Sequence, residues 1–245
     1  MLTMPIPDQE VITRRAAIAA ALRHIVPGEG VVEAPIEMRA FETDGLTAYR
    51  QMPLVVVLPE TTAQVSAVLK YAHENDIKVV PRGAGTSLSG GALPLADGIL
   101  LGMAKFNRVL EIDYANRCAV VQPGVTNLAI TRAVEHRGFY YAPDPSSQIA
   151  CTIGGNVAEN SGGVHCLKYG LTANNVLGIE MVLVTGEMGG TPDSRSAEVA
   201  VLIGPTRVRV SVSIKPWGND AEARAVLKRM LEMLGGSFVL GNVSL

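Results

Sequence analysis

The stretch "PRGAGTSLSGG" (Pro81–Gly91) contains four glycines, three hydroxyl side chains and a single large apolar residue. It directly follows the apolar run "IKVV" (77–80), which predicts a β-strand. Glycines let backbone N–H groups converge on a phosphate, because no Cβ obstructs the approach. The spacing G-x-G-x4-G matches neither the dinucleotide fingerprint G-x-G-x-x-G nor the P-loop pattern. Taken alone, the stretch is compatible with a surface turn or with a phosphate-binding loop.

The residues before this loop predict a strand–helix–strand unit. The run "LVVVL" (54–58) is short and wholly apolar, which suits a buried strand. Apolar residues then recur at helical spacing between positions 65 and 72, and Thr61 or Thr62 can cap that helix. The second strand of the unit, 77–80, leads directly into the glycine loop.

Periodicity and turn residues predict further elements along the chain. The predicted helices are 10–25 and 126–138, the predicted strands are 98–103, 108–113, 118–124 and 176–187, and 26–52 is predicted to be an irregular linking segment.

Composition restricts the class of protein. The 245 residues are 48% hydrophobic, which is enough for a sizeable core, and the formal charge of −2 predicts no nucleic-acid partner. The sequence shows no apolar run of the roughly 18 residues that span a membrane, and its N-terminus shows no signal-peptide pattern. Three cysteines without a CxxC pair favour a reducing compartment and argue against structural zinc. We therefore expect a soluble cytoplasmic protein without direct membrane insertion.

A second glycine-rich cluster lies about seventy residues after the first. The segment 142–176 shows no clear periodicity, and a loop of that length in a compact domain is usually functional or disordered. It contains "APDPSS" (142–147) and "CTIGGNVAENSGG" (151–163), in which glycines and small polar residues cluster. Two separate glycine clusters favour a long, flat, phosphate-containing ligand held from two sides, and a dinucleotide such as FAD fits that description.

Five motifs then occur in a characteristic order: "PRGAGTSLSGG", "VQPGVTN", "APDPSS", "TIGGNVAENSGG" and "KYGLTANNVLGIEMVLVTGE". Together, over roughly residues 40–188, they resemble the PCMH-type FAD-binding domain of the vanillyl-alcohol-oxidase superfamily. The nearest subgroup is the flavoprotein subunit of glycolate oxidase with its D-lactate dehydrogenase relatives. The resemblance implies an α+β fold of two subdomains with FAD between them.

The resemblance also implies a division of the chain. Residues 1–52 would form an N-terminal helix and linking segment, and 53–188 would form the PCMH-type FAD-binding domain. Residues 189–245 show no motif of the family and are expected to form a divergent strand–helix–strand tail. The sequence predicts a strand with alternating apolar residues at 208–214 and a helix at 223–234. The second subdomain would then be incomplete or divergent, the substrate domain would be absent, and truncation or a disrupted reading frame stays open beside real divergence.

The resemblance assigns a set of cofactor contacts, motif by motif. Arg82 could add charge to the pyrophosphate loop or could hold that loop from behind. The residues that would contact or flank FAD are Arg82, Gly83, Ala84, Gly85, Thr86, Ser87, Pro123, Gly124, Pro143, Asp144, Ser147, Thr152, Gly154, Gly155, Asn156 and Ser161. Covalent members of the superfamily can carry a histidine where Thr86 stands here, so noncovalent FAD is expected.

The family reaction is the oxidation of a small 2-hydroxy acid, such as glycolate or D-lactate, to the 2-oxo acid. The flavin supplies the redox chemistry, and the implied partners are other glycolate oxidase subunits, including an iron–sulfur electron acceptor, through which the chain could associate with a membrane. The sequence identifies no catalytic base and no metal motif, and His165 is the one histidine near the second cluster. Two alternatives stay open: an FAD-binding module without activity of its own, and, less favoured, the enolpyruvylglucosamine reductase type of the same fold.

Overall fold

A four-stranded sheet lies at the centre of the first half of the chain. The structure is a computed structural model, and it describes residues 4–190, 200–203 and 206–209. The helices are α1 (Gln9–Thr13), α2 (Arg15–Ile25), α3 (Pro35–Met38), α4 (Thr62–Glu74), α5 (Asn127–Val134), α6 (Ile153–Glu159) and α7 (Cys166–Tyr169). The strands are β1 (Val31–Val32), β2 (Val55–Val57), β3 (Lys78–Arg82), β4 (Gly98–Gly102), β5 (Val109–Asp113), β6 (Cys118–Val121), β7 (Glu180–Val182), β8 (Met188–Gly190), β9 (Ala200–Ile203) and β10 (Thr206–Arg209).

The sheet order is β1-β2-β4-β3, with β2, β4 and β3 parallel and β1 antiparallel to β2. The predicted strand–helix–strand unit is confirmed as β2, α4 and β3, with β4 inserted between the two strands. At the start of α4, Thr61 accepts a hydrogen bond from the backbone N–H of Gln64, and the Gln64 side chain accepts one from the N–H of Thr61. This reciprocal capping box explains why the helix begins there.

The two faces of the sheet are covered by different elements. Val55, Val57 and Leu101 share one core cluster with the apolar residues of α2 and α4. Val56 and Leu100, which alternate with them along the strands, pack against Met38 of α3 on the other face. The parallel strands are therefore buried on both sides, as their continuous apolar sequence predicts.

A second hydrophobic core belongs to the later part of the chain. It is built from the β5–β6 hairpin, α5, α6 and β7, and Ile153 lies at its centre with no exposed surface. The α+β architecture is thus the one predicted. Gly138 ends the segment that begins with α5 in the left-handed conformation expected of a glycine cap (φ +76°).

Two segments are more regular than the sequence indicates. The predicted linking segment 26–52 contributes β1 to the sheet and α3 to the core, although its prolines and glycines suggest irregular structure. The long unperiodic segment 142–176 contains α6 and α7. Glycine has low helix propensity, so Gly154 and Gly155 weaken the sequence signal for α6. Burial of Ile153 and Asn156 in the tertiary structure stabilises this helix instead.

Within the predicted tail, the structure describes β9 and β10, which pair antiparallel, and β10 overlaps the start of the strand predicted at 208–214. The helix predicted at 223–234 lies outside the described residues. No helix within the described ranges combines the length and the apolar character needed to cross a bilayer.

Two leucines, one in the central sheet and one in the β5–β6 hairpin, offer a matched test of the packing around the sheet. Leu100, in the central strand β4, has no exposed surface, whereas Leu110 in β5 is 41% exposed. We expect Leu100→Ala to lower the free energy of unfolding by about 2–5 kcal/mol, because it leaves a cavity between packed layers. Leu110→Ala should cost less than about 1 kcal/mol. Equal losses in denaturant titrations of the two variants would contradict the assigned core.

Candidate functional site

A cavity of about 590 Å³ lies between the loop that follows β3 and the first turns of α6. Most of the sixteen residues that the sequence assigns to a cofactor line this cavity. They are Arg82, Gly83, Ala84, Gly85, Thr86, Ser87, Pro123, Ser147, Thr152, Gly154, Gly155, Asn156 and Ser161. The fold thus brings together two glycine clusters that lie about seventy residues apart in the chain.

The loop after β3 presents unused backbone donors. Within the part of the chain that the structure describes, the N–H groups of residues 83–88 donate no hydrogen bond to a protein acceptor. Gly85 has a left-handed φ of +71°, and a Cβ at that position would collide with the guanidinium of Arg82. Glycine is therefore required at 85 for both conformation and space.

Arg82 lies behind the loop. Its Nη1 atom donates to the carbonyl oxygens of Thr43 (2.6 Å), Ala92 (3.2 Å) and Phe41 (3.4 Å). Burial lowers the pKa of the guanidinium, and the negative charge of Asp44 opposes that shift. Two roles were left open for Arg82: adding charge to the loop, or holding the loop from behind. These contacts favour the second role, because they join the two ends of the loop to the segment around Thr43.

The opposite wall of the cavity contains an unsatisfied hydroxyl. Thr152 is 7% exposed, and in the described residues its Oγ1 atom has no hydrogen-bond partner. A Cβ at Gly83 would collide with this atom, and a Cβ at Gly155 would lie 3.4 Å from it. The backbone N–H of Gly155 also lacks an acceptor among the described residues. A buried donor without a partner is costly, so this wall is suited to a ligand that carries acceptor oxygens.

Asn156 is held by a buried chain of amide hydrogen bonds. Its Nδ2 donates to Oδ1 of Asn127 at 2.9 Å, and Nδ2 of Asn127 donates to the carbonyl oxygen of Pro143 at 2.8 Å. Both asparagines are almost completely buried. Asn127 was not among the predicted site residues, since an asparagine in the first turn of a helix reads as ordinary capping chemistry.

Three predicted residues, Gly124, Pro143 and Asp144, do not line the cavity. A Cβ at Gly124 would collide with the carbonyl oxygen of Met103, and the N–H of Gly124 donates to the carbonyl oxygen of Phe106. Gly124 therefore permits close packing of two backbone segments. Pro143 contributes its carbonyl oxygen, which accepts the hydrogen bond from Asn127.

Asp144 forms a pair with His165 at the surface. Its carboxylate accepts the backbone N–H of His165 at 3.2 Å and lies 2.6 Å from Nδ1 of the same residue. Partial burial raises the pKa of the Asp144 carboxyl, but the contacts with His165 outweigh that effect, so its pKa lies below the ordinary value.

Residues that the sequence did not single out also border the cavity. Ser146, Cys151 and Glu159 line it, and the hydroxyl of Ser87 donates to Oε1 of Glu159 at 2.8 Å, which bridges the two walls. Only the folded chain brings Ser87 and Glu159 together, because 72 positions separate them. No group of three or more potential metal ligands occurs among the described residues.

A diphosphate fits this arrangement of donors. The N–H groups of residues 83–88 and of Gly155, which have no acceptor among the described residues, and the hydroxyl of Thr152 all belong to residues that line one cavity. The donors are contributed by both walls, which suits a long ligand that carries the diphosphate in its middle.

Comparison with known proteins identifies the family. The family model described as "FAD binding domain" matches residues 53–189. The chain belongs to this family. The cofactor of this FAD-binding domain is FAD.

The chain is similar to three curated proteins in particular. It is 57% identical to the glycolate oxidase subunit GlcD of Escherichia coli over 237 residues, which cover 94% of this chain and 48% of that protein. It is 44% identical to the Bacillus subtilis subunit of the same name, over 65% of this chain and 34% of that protein. It is 42% identical to a D-lactate dehydrogenase of Archaeoglobus fulgidus, over 66% of this chain and 37% of that protein.

The chain therefore spans at most about half the length of these relatives. Residues 1–188 make up about three quarters of the chain, so the alignment with the E. coli protein also reaches into the segment after residue 188.

Solved structures support the fold alone, because their sequences are less than 25% identical. A substrate-bound p-cresol methylhydroxylase superposes with a TM-score of 0.69 at 18% identity, over 89% of this chain and 46% of that chain. An alkyldihydroxyacetonephosphate synthase superposes with a TM-score of 0.65 at 16% identity, over 95% of this chain and 47% of that chain.

Gly85 provides a test of the loop. Gly85→Val should weaken FAD binding by about tenfold to hundredfold or more, because the side chain displaces Arg82 and deforms the loop. Gly138→Val is the matched control, since Gly138 has a similar φ of +76°, open space around its Cα and no place in the cavity. Flavin fluorescence titration measures both affinities. An equal loss in the two variants would indicate general backbone strain rather than a defect in the loop.

Proposed function

We propose that this chain is the flavin-holding part of an FAD-dependent oxidoreductase that oxidises a small 2-hydroxy acid, glycolate or D-lactate, to the corresponding 2-oxo acid. The observation that carries the proposal is 57% identity over 94% of the chain to a protein named as a glycolate oxidase subunit. The similarity to a D-lactate dehydrogenase supports the same class of substrate.

The residues of the chain contribute binding and orientation. FAD, when bound, accepts the two electrons that leave the substrate as its hydroxyl-bearing carbon becomes a carbonyl. The loop N–H groups of residues 83–88 and the Thr152 hydroxyl would hold the pyrophosphate. Asn156, restrained by Asn127, would present its remaining polar atoms to the cofactor.

The ionisable residues that line the described cavity are Arg82, Cys151 and Glu159. Arg82 donates to carbonyl oxygens and Glu159 accepts from Ser87, while Cys151 is buried. We therefore assign the base that removes the substrate's hydroxyl proton to none of these residues, and the proposal leaves the catalytic base unassigned.

Noncovalent attachment of FAD is part of the proposal. Thr86 stands where covalent relatives can carry a histidine, and neither histidine nor tyrosine lines the cavity in the described residues. Acid precipitation of the loaded protein should release all the flavin into the supernatant; flavin retained in the pellet would contradict this part.

We also propose that the chain acts with partner subunits, one of which receives the electrons through an iron–sulfur centre. The GlcD relatives are subunits of glycolate oxidases by name, which supports the existence of partners for those proteins. Co-purification of the chain with the products of its neighbouring genes, followed by iron analysis of the complex, tests this proposal.

Anaerobic spectroscopy tests the proposed reaction directly. The purified chain should show the visible absorption of bound flavin, and addition of glycolate or D-lactate should bleach it. Bound flavin that stays oxidised with both acids would favour a binding module without activity of its own. A chain that takes up no flavin would contradict the cofactor site as well as the reaction.

Thr152→Val tests the contribution of the unsatisfied hydroxyl. The substitution removes a buried donor that has no protein partner, so we expect no loss of stability in the FAD-free chain. FAD affinity should fall by about tenfold to hundredfold, because a hydrogen bond to a charged phosphate is lost. Thr172→Val is the opposite case, since its hydroxyl already donates to the Ser161 carbonyl at 2.6 Å. It should cost stability and leave FAD affinity nearly unchanged, as fluorescence and thermal unfolding would show.

A further inference from the structure

The segment 41–45 lies against the back of the phosphate-binding loop, outside the span 53–189 that matches the FAD-binding family. It contacts the loop at three points. Arg82, at the start of the loop, donates to the carbonyl oxygens of Phe41 and Thr43. The N–H of Gly45 donates to the carbonyl oxygen of Ser87 in the middle of the loop, at 2.9 Å.

The third contact is made by Asp44 at the end of the loop. Its Oδ2 atom accepts the backbone N–H of Gly90 at 2.9 Å, and its Oδ1 atom accepts the N–H of Leu46 at 3.0 Å. Asp44 is only 6% exposed, and its negative charge acts favourably on the Arg82 guanidinium. A buried carboxylate is retained only when such partners compensate its desolvation.

Close backbone packing adds to these bonds. A Cβ at Gly45 would lie 2.7 Å from the carbonyl oxygen of Thr86 and 3.1 Å from that of Ser87. The segment is itself closed by a hydrogen bond from the N–H of Gln51 to the carbonyl oxygen of Glu42, at 2.8 Å. The support behind the loop is therefore braced by hydrogen bonds and packing within the chain itself.

On the loop side, these contacts use the guanidinium of Arg82, the carbonyl group of Ser87 and the N–H of Gly90, and they leave the N–H groups of residues 83–88 available. A loop held open in this way loses little conformational freedom when a ligand binds, and preorganisation of that kind increases affinity. We propose that segment 41–45, with Asp44 as its main anchor, is a positioning element that holds the loop in its FAD-accepting conformation. The inference rests on the proposed FAD site and adds a residue that acts on the cofactor through Gly90 and Arg82.

Asp44→Ala tests the proposal in the full chain, with FAD and ADP as probes. Both probes carry the diphosphate, so a displaced loop should weaken both by a similar factor, about tenfold to hundredfold. Asp97→Ala is the matched control: Asp97 is 3% exposed and accepts the N–H of Asp8 at 2.8 Å and the ammonium of Lys78 at 2.5 Å, but it does not line the cavity. It should lower the unfolding midpoint without lowering either affinity.

Two further substitutions allow the proposal to be tested even if Asp44→Ala does not fold. Asp44→Asn retains one acceptor oxygen and should give a smaller loss than Asp44→Ala. Gly45→Val should reproduce the loss by pushing the segment away from Thr86. Unchanged affinities in Asp44→Ala and Gly45→Val, or losses no larger than that of Asp97→Ala, would overturn the inference. Failure of the unaltered chain to bind FAD would overturn the proposed function, and the inference with it.

Discussion

The site depends on the half-buried guanidinium of Arg82. Its Nη1 atom joins the carbonyl oxygens of Phe41, Thr43 and Ala92, so one charged group fixes both ends of a glycine-rich loop to the chain behind it. Glycine alone would leave such a loop with many conformations, because it loses more freedom on ordering than any other residue. The hydrogen bonds of Arg82 restrict the loop to one conformation. Gly85 has no Cβ, and this leaves space for the guanidinium of Arg82.

The two walls of the cavity obtain their rigidity in different ways. The first wall is a loop that follows a parallel strand, and its stability comes from hydrogen bonds to the segment behind it. The second wall is α6, anchored by Ile153 in the second core and by the buried pair Asn156–Asn127. Donors without a protein partner among the described residues occur on both walls, and the proposed diphosphate would satisfy them.

How far the sequence could predict the fold depended on the local signal of each element. β2, α4 and β3 follow from apolar runs, helical spacing and a capping box, all of which lie within a few residues. α6 was missed because Gly154 and Gly155 weaken the helical signal, and tertiary burial compensates for it. The short strand β1 was missed because a strand of two residues is too short to show an alternating pattern of apolar residues. Its hydrogen bonds are formed with a partner strand more than twenty positions away.

The sequence by itself determined the two glycine clusters, their order and their chemical character, because conformational freedom at glycine is a property of the residue. It therefore indicated FAD and a set of cavity residues, most of which the fold brings together. Only the tertiary structure decided that Arg82 faces the back of its loop, that Asp44 and Asn127 support the site, and that Ser87 lies against Glu159. These relations join residues from 10 to 72 positions apart, and hydrogen bonds over such separations exist only once the sheet and the two cores have formed.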